Sequence, residues 1–415
     1  MKHITTSSTF TRSLLTALTF LLIFPSTLLA SSQPDYLAKL PSPPNAITNA
    51  TPNEILISEF ISSIRSDNWT EWVMFFTPSV RDMYITFASN ESNRKANLGI
   101  LNVNSSSLVS IDRVPNSCAP RFRELAAFQD NEEDYEVYLV GIQMTVNEIS
   151  EYYVDGINYK LIILVRDNRN DGAWGVGILT SAPIDLLEQY SGSSIDKAIQ
   201  RYEERVYGVS KKNGTLSSTT RGVGYGLLTP GSSPPSSIKI YTKATKTSTV
   251  WYVVTSSFSN FITNVTHNEI GNMGFNIEAI KVQAIAAKMC GWWAVIAQYR
   301  DAVGADIMYE DVSYLDNSPV LGTGVASAAS AISSYKILSS NTLSNTADRS
   351  KLFYTAFIAG VPNDPDLTGY HTGTMRQYGA HDQAVSGKTW QQIIHYYYDN
   401  STQNNPNVGI VQILN

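Results

Sequence analysis

The chain has 415 residues and a formal net charge of −6, with 16% charged, 43% apolar and 11% aromatic residues. That length and apolar content provide for two or perhaps three domains with sizeable cores. The acidic balance excludes general binding to a phosphate backbone, which needs a basic face, so nucleic acid is not an expected partner.

At the N-terminus, Lys2, His3 and Arg12 precede an apolar core from Leu14 to Phe24, broken at Pro25, and Ala30-Ser31-Ser32 offers small residues for cleavage. This layout predicts a secretory signal peptide over 1–32, with an uncleaved N-terminal anchor as the alternative, and so a secreted or extracytoplasmic protein. Residues 33–50, rich in Pro, Ser and Asn, read as a tether. Only Cys118 and Cys290 occur, one in each half, so no disulfide framework is expected. Seven Asn-x-Ser/Thr sequons, Asn264 among them, carry no weight in so Asn-rich a chain.

A helix is predicted to start at Thr51, where Thr51, Pro52 and Glu54 form a capping box, with Leu56, Phe60 and Ile64 on one face. Tyr135 to Thr145, Glu151 to Arg166 and Ala173 to Thr180 read as strands, the last after the turn signal Asn170-Asp171-Gly172. Helices followed by an antiparallel meander predict an α+β domain over 51–186. Its pattern resembles the cone-shaped, nuclear-transport-factor-two-like fold. The acids of Asp130 to Asp134 read as a solvated loop. Residues 187–235 combine a short amphipathic helix, Ser194 to Tyr207, with a Gly/Ser/Thr/Pro-rich linker, and a second domain fills 236–415.

Two stretches of that second domain carry the chemistry. The first runs from Phe258 through His267-Asn268-Glu269, across a Gly-containing loop, into a helix capped by Asn276. That helix is apolar on nearly every side and is expected in the domain centre. Its polar residues Glu278, Lys281 and Gln283 cluster at the N-terminal end, beside Glu269. The second stretch is His371-Thr372-Gly373-Thr374-Met375-Arg376-Gln377-Tyr378-Gly379-Ala380, then Gly387-Lys388 and a helix reaching His395-Tyr396-Tyr397.

Together these stretches resemble the SpoIID/LytB family, the stage II sporulation protein D and amidase-enhancer proteins. Residues 278–288 are similar to its Glu-Ala-Leu-Lys-Ala-Gln-Ala-Val-Ala-Ala-Arg helix, with Lys288 in place of Arg. The second stretch is similar to its Gly-His-Gly-Val-Gly-Met-Ser-Gln-Trp-Gly-Ala signature. The resemblance implies an α+β, SpoIID-like domain in a Gram-positive, spore-forming bacterium, acting on peptidoglycan glycan strands. It implies either a lytic transglycosylase or a non-catalytic wall-binding protein that enhances a cell-wall amidase. For the enzyme, Glu269 matches the single acid/base, desolvated by Ile270, Met273 and Phe275. His371, Gln377, Tyr378, Lys281 and Gln283 are then the candidate substrate-binding residues. Gly271 stands where many members have Pro, and Tyr370, Thr372 and Thr374 replace glycines of the signature. Residues 301–321 contain neither Cys nor His, and the gaps between His371, His381 and His395 fit no common ligand pattern, so neither metal nor cofactor is expected. For His381 and His395 the residue-level reading is structural.

Overall fold

The computed structural model describes residues 50–116, 135–167, 172–182, 227–228, 233–271, 273–316, 324–340, 351–360, 373–401 and 408–415. The expected signal peptide, the tether, the Ser194 to Tyr207 helix, the Asp130 to Asp134 loop, Cys118 and His371 lie outside the described residues. The fold is mixed α and β, with helices followed by a run of strands in the first half and helices and short strands interleaved in the second.

The first helices are α1 (Pro52–Ser63), α2 (Trp69–Trp72), α3 (Pro78–Ser89) and α4 (Glu91–Lys95). The capping box forms as expected: Thr51 N–H donates to Glu54 at 2.7 Å, and Glu54 N–H donates to the Thr51 hydroxyl at 3.3 Å. The buried stripe of α1 is Ile57, Phe60 and Ile61, continued by Ile64, with Leu56 only half-buried.

Strands β1 (Val103–Val114), β2 (Tyr135–Val146), β3 (Gly156–Asp167) and β4 (Ala173–Ser181) form one antiparallel meander in chain order. β1 carries no clear alternation in sequence because most of its residues are exposed, so only its pairing with β2 identifies it. β3 begins five residues later than the expected Glu151. Residues 151–155 form a loop held by Asn158, whose side chain accepts from Val154 N–H and donates to Val154 O and Gly156 O.

Both faces of this sheet are covered, which explains the near-continuous apolar runs of β2 and β3. Tyr138, Val140, Ile142, Ile162 and Leu164 face the helices α1 to α3. Val137, Leu139, Leu161, Ile163 and Val165 instead join the core of the second half.

That half contains β5 (Leu227–Leu228), the hairpin β6 (Ser237–Lys243) and β7 (Trp251–Ser257), α5 (Phe258–Thr266) and α6 (Ile277–Ala297). Then come β8 (Ile307–Met308), α7 (Tyr309–Val312), α8 (Val325–Ala331), β9 (Lys336–Leu338), β10 (Leu352–Phe353), β11 (Ala356–Ile358) and β12 (Thr374–Arg376). The chain closes with α9 (Gln377–Val385), α10 (Trp390–Tyr398) and β13 (Gln412–Leu414). β8 pairs parallel to β6, and β11 parallel to β12.

The described residues from Ala50 onward belong to one compact unit, and the stretch after α6 packs into the core of its first half. Ala302, Val303 and Met308 belong to the core beneath α1 to α3. Two glycine backbones meet there. Both Gly99 and Gly304 have positive φ, and a Cβ on Gly99 would lie 2.3 Å from Ala302 O. Thr180 on β4 donates its hydroxyl hydrogen to Gln298 O and Tyr299 O, each at 3.4 Å.

A buried ion pair crosses the same seam. Lys160 of β3 and Asp301, 1% and 0% exposed, approach to 2.5 Å, and Ser181 donates to the same carboxylate oxygen at 2.6 Å. Lys160 also donates to Tyr152 O and sits 4.0 Å from the Tyr153 ring centre. Removing one member strands a charge in low dielectric, which costs about 3–5 kcal/mol. Lys160→Met is therefore expected to lower unfolding stability by about that amount, and adding Asp301→Leu to restore much of it. Urea denaturation of the two variants checks this; a Lys160→Met loss under about 1 kcal/mol would remove the pair's role in the seam.

Candidate active site

The site is built around α6. Its hydrogen-bonded N-terminus follows from Asn276, whose side chain accepts from Glu278 N–H at 2.9 Å, as the sequence predicts. Nearly every residue from Ala279 to Ala297 is buried. Gly291 lets α5 approach closely, since a Cβ there would lie 2.4 Å from the Phe261 ring.

α5 does not stop at Thr266. It continues as a π-helical turn over His267–Gly271, and this turn carries Glu269. Such turns shift the register of the following side chains and recur at functional sites. Two asparagines hold it. Asn264 donates to Leu315 O at 2.7 Å and accepts from Leu315 N–H at 3.2 Å. Asn268 in turn donates to Asn264 O and its side-chain oxygen. With its amide so engaged and only 5% exposed, the Asn264 sequon is not a surface acceptor.

Glu269 is half-buried. Gln377, the first residue of α9 and 2% exposed, donates its side-chain N–H to Glu269 Oε2 at 2.7 Å. This bond joins the two sequence stretches across 108 residues. β12 delivers Gln377 to that position: it lies beside β11, and Tyr378 N–H donates to Ala359 O at 3.1 Å. Tyr378 packs edge-on against Phe275, with centroids 5.2 Å apart. Of the residues expected to form an apolar wall, Ile270 and Phe275 are buried, whereas Met273 is 47% exposed and stands outside it.

The remaining candidates are placed differently. Lys281 pairs with Glu278 at 2.6 Å, and the second Glu278 oxygen accepts from Trp390 N–H at 2.8 Å. Burial alone would raise the Glu278 pKa, but Lys281 and the Trp390 N–H outweigh it and hold the carboxyl below its ordinary value. This pair fastens the start of α6 to the start of α10. Gln283 is fully buried, and among the described residues neither of its side-chain polar atoms has a hydrogen-bond partner. Lys288 donates to Ser333 O and Tyr335 O at 2.6 Å each, and burial, with Lys336 adding to it, lowers its pKa to about 8.

His381 stacks on Phe275 at 4.7 Å, and its Nδ1 accepts from Asn276 N–H at 3.0 Å. His395 Nδ1 bonds Asp399, which also accepts from Val411 N–H. Both have structural partners. Among the described residues no group of three His, Cys, Asp or Glu side chains could hold a metal.

Two neighbours of Glu269 were given no role by the sequence reading, although His267 lies in the stretch it singled out. His267, 3% exposed, has its pKa lowered by burial. Tyr309 has its hydroxyl pKa raised by burial first, then by the charges of Glu310 and Glu269. Forty residues separate Tyr309 from Glu269, and nothing in the pattern of α7 links them.

No protein-family model, no curated protein and no solved structure matches this chain.

The π turn explains Gly271. A Cβ there would lie 2.7 Å from His267 Nδ1 and 3.2 Å from Val325. Gly271→Ala is expected to displace His267 and with it the turn bearing Glu269, lowering stability by about 1–3 kcal/mol. Thermal unfolding checks this, and an unchanged midpoint would mean that the turn has slack to absorb a methyl group.

Proposed function

We propose that this chain is a secreted, extracytoplasmic lytic transglycosylase that cleaves peptidoglycan glycan strands with Glu269 as its single acid/base. The observation that carries the reading is the Gln377–Glu269 hydrogen bond. The two stretches that resemble the SpoIID/LytB family are joined through the very residues expected to act. On this reading residues 236–415 form a SpoIID-like domain. Residues 51–186 form a cone-like, nuclear-transport-factor-two-like domain that localises the enzyme at the wall or binds a wall protein such as an amidase.

The chemistry follows from one carboxyl group. Protonated Glu269 gives its proton to the glycosidic oxygen as the C1–O bond breaks. The C6 hydroxyl of the same sugar then attacks C1, and the Glu269 carboxylate takes the hydroxyl proton. A 1,6-anhydro ring closes, no water is consumed and the acid is regenerated. One carboxyl suffices because the nucleophile is internal, unlike the paired carboxylates of hydrolytic glycosidases. Gln377 occupies Oε2, leaving Oε1 to face the glycosidic oxygen. Tyr378, half-buried against Phe275, offers an amphipathic ring for an N-acetyl sugar.

The test is muropeptide analysis of purified walls, intact and amidase-stripped, digested with the mature protein or its Glu269→Gln variant. Anhydro-sugar products are expected from the wild type alone, with at least a hundredfold loss in the variant, the scale of general acid catalysis. If neither protein releases products while both pellet with walls, cleavage is ruled out and wall binding coupled to an amidase takes its place.

A further inference from the structure

Among the described residues, the seam between the halves contains three acids with buried side chains, and they are not alike. Asp301 is paired with Lys160 at 2.5 Å. Asp311 is paired with Arg300 through two bonds, at 3.0 and 2.5 Å. Asp306, 7% exposed, has no cation within ion-pair distance among the described residues. Its Oδ1 accepts from the Tyr152 hydroxyl at 2.9 Å, and its Oδ2 from Lys239 N–H at 2.8 Å. Both donors are neutral. One comes from the loop before β3 and the other from β6, so this carboxyl ties the two halves together.

The charged groups facing Asp306 do not neutralise it. Glu151, from the same loop as Tyr152, adds a like charge. The Lys239 ammonium is engaged by Glu151 in an ion pair. Asp301 with Lys160, and Arg300 with Asp311, are closed pairs on the adjoining segment. A buried carboxylate without a cation is costly, and the cheapest remaining counter-charge is a proton.

We propose that Asp306 is a proton-binding latch of the seam, protonated and tightly closed in mildly acid conditions and progressively loosened as pH rises. The carboxyl is pushed up from 3.8 to about 7, by burial above all and by Glu151, against the opposing Lys239 and Tyr152 hydrogen bonds and the Lys239 charge. The sign follows from linkage. The folded state binds the proton more tightly than the unfolded chain, so the stabilisation is complete below about pH 4 and is lost as pH rises towards 7. The full span corresponds to roughly a thousandfold in the folding constant. The inference is independent of any activity at Glu269.

The experiment compares the mature protein with Asp306→Asn by denaturant unfolding across a pH series from about 4 to 9. The wild type is expected to lose up to roughly a thousandfold in folding constant relative to the variant as pH rises. Hydrogen exchange at the Lys239 and Asp306 amides, corrected for intrinsic rate, should rise over the same range in the wild type only. A wild-type-minus-variant infrared spectrum should show a buried carboxylic-acid carbonyl band at pH 6 that fades above pH 8. If Asp306→Asn does not fold, Tyr152→Phe serves instead. Loss of a donor to the ionised form should move the band's midpoint to higher pH. Parallel stability curves, an absent acid band, or an unmoved midpoint in Tyr152→Phe would each overturn the latch.

Discussion

A helix apolar on every side must be wrapped on every side, and α6 imposes that constraint on the rest of the second half. Its 21 residues expose almost nothing beyond the first turn. α5, α8, α9 and α10 each lie against it, and the inner face of the β1–β4 sheet joins the same core. Burial of this much apolar surface, at roughly 25 cal/mol per Å², is the driving term. The polar groups then decide how each wrapping element is aimed. Asn276 addresses His381 on α9, Glu278 addresses the start of α10, and Lys288 addresses the carbonyls after α8.

The Glu269–Gln377 contact is a consequence of that wrapping. α5 and α9 are drawn to one helix from distant parts of the chain, and their ends meet near its N-terminus. The π turn adjusts the last step, rotating Glu269 towards α9 while Asn264 and Asn268 hold the backbone. The half-buried Glu269 carboxylate is thus fixed by a buried amide from the far end of the chain.

The seam follows a different physics. Where α6 ends, the chain passes between the sheet and the first helices, and buries Asp301, Asp306 and Asp311 there. Such charges add little net stability compared with apolar packing, but they are strict about position, because an unpaired one is expensive. They therefore specify one docking of the halves. Two of the three are satisfied by cations, and the third is left to neutral donors.

The sequence by itself determined the local features: the capping box at Thr51, strands β2 to β4, the Asn276 cap and the buried helix behind it. These depend on contacts within a few residues, so capping and periodicity carry them. It also marked Glu269 and Gln377 separately, through the stretches around them. It did not reveal β1, whose exposed residues leave no alternation, or the loop at Glu151 to Asp155, where apolar tyrosines imitate a strand while Asn158 bonds turn the backbone. Nor did it reveal that Lys281 is held by Glu278 or that Gln283 is sealed inside the core. Only the tertiary structure decided that Glu269 meets Gln377 and that Lys160 meets Asp301. Those pairs are 108 and 141 residues apart, and their meeting depends on the sum of all packing on α6 and the sheet, which no local pattern encodes.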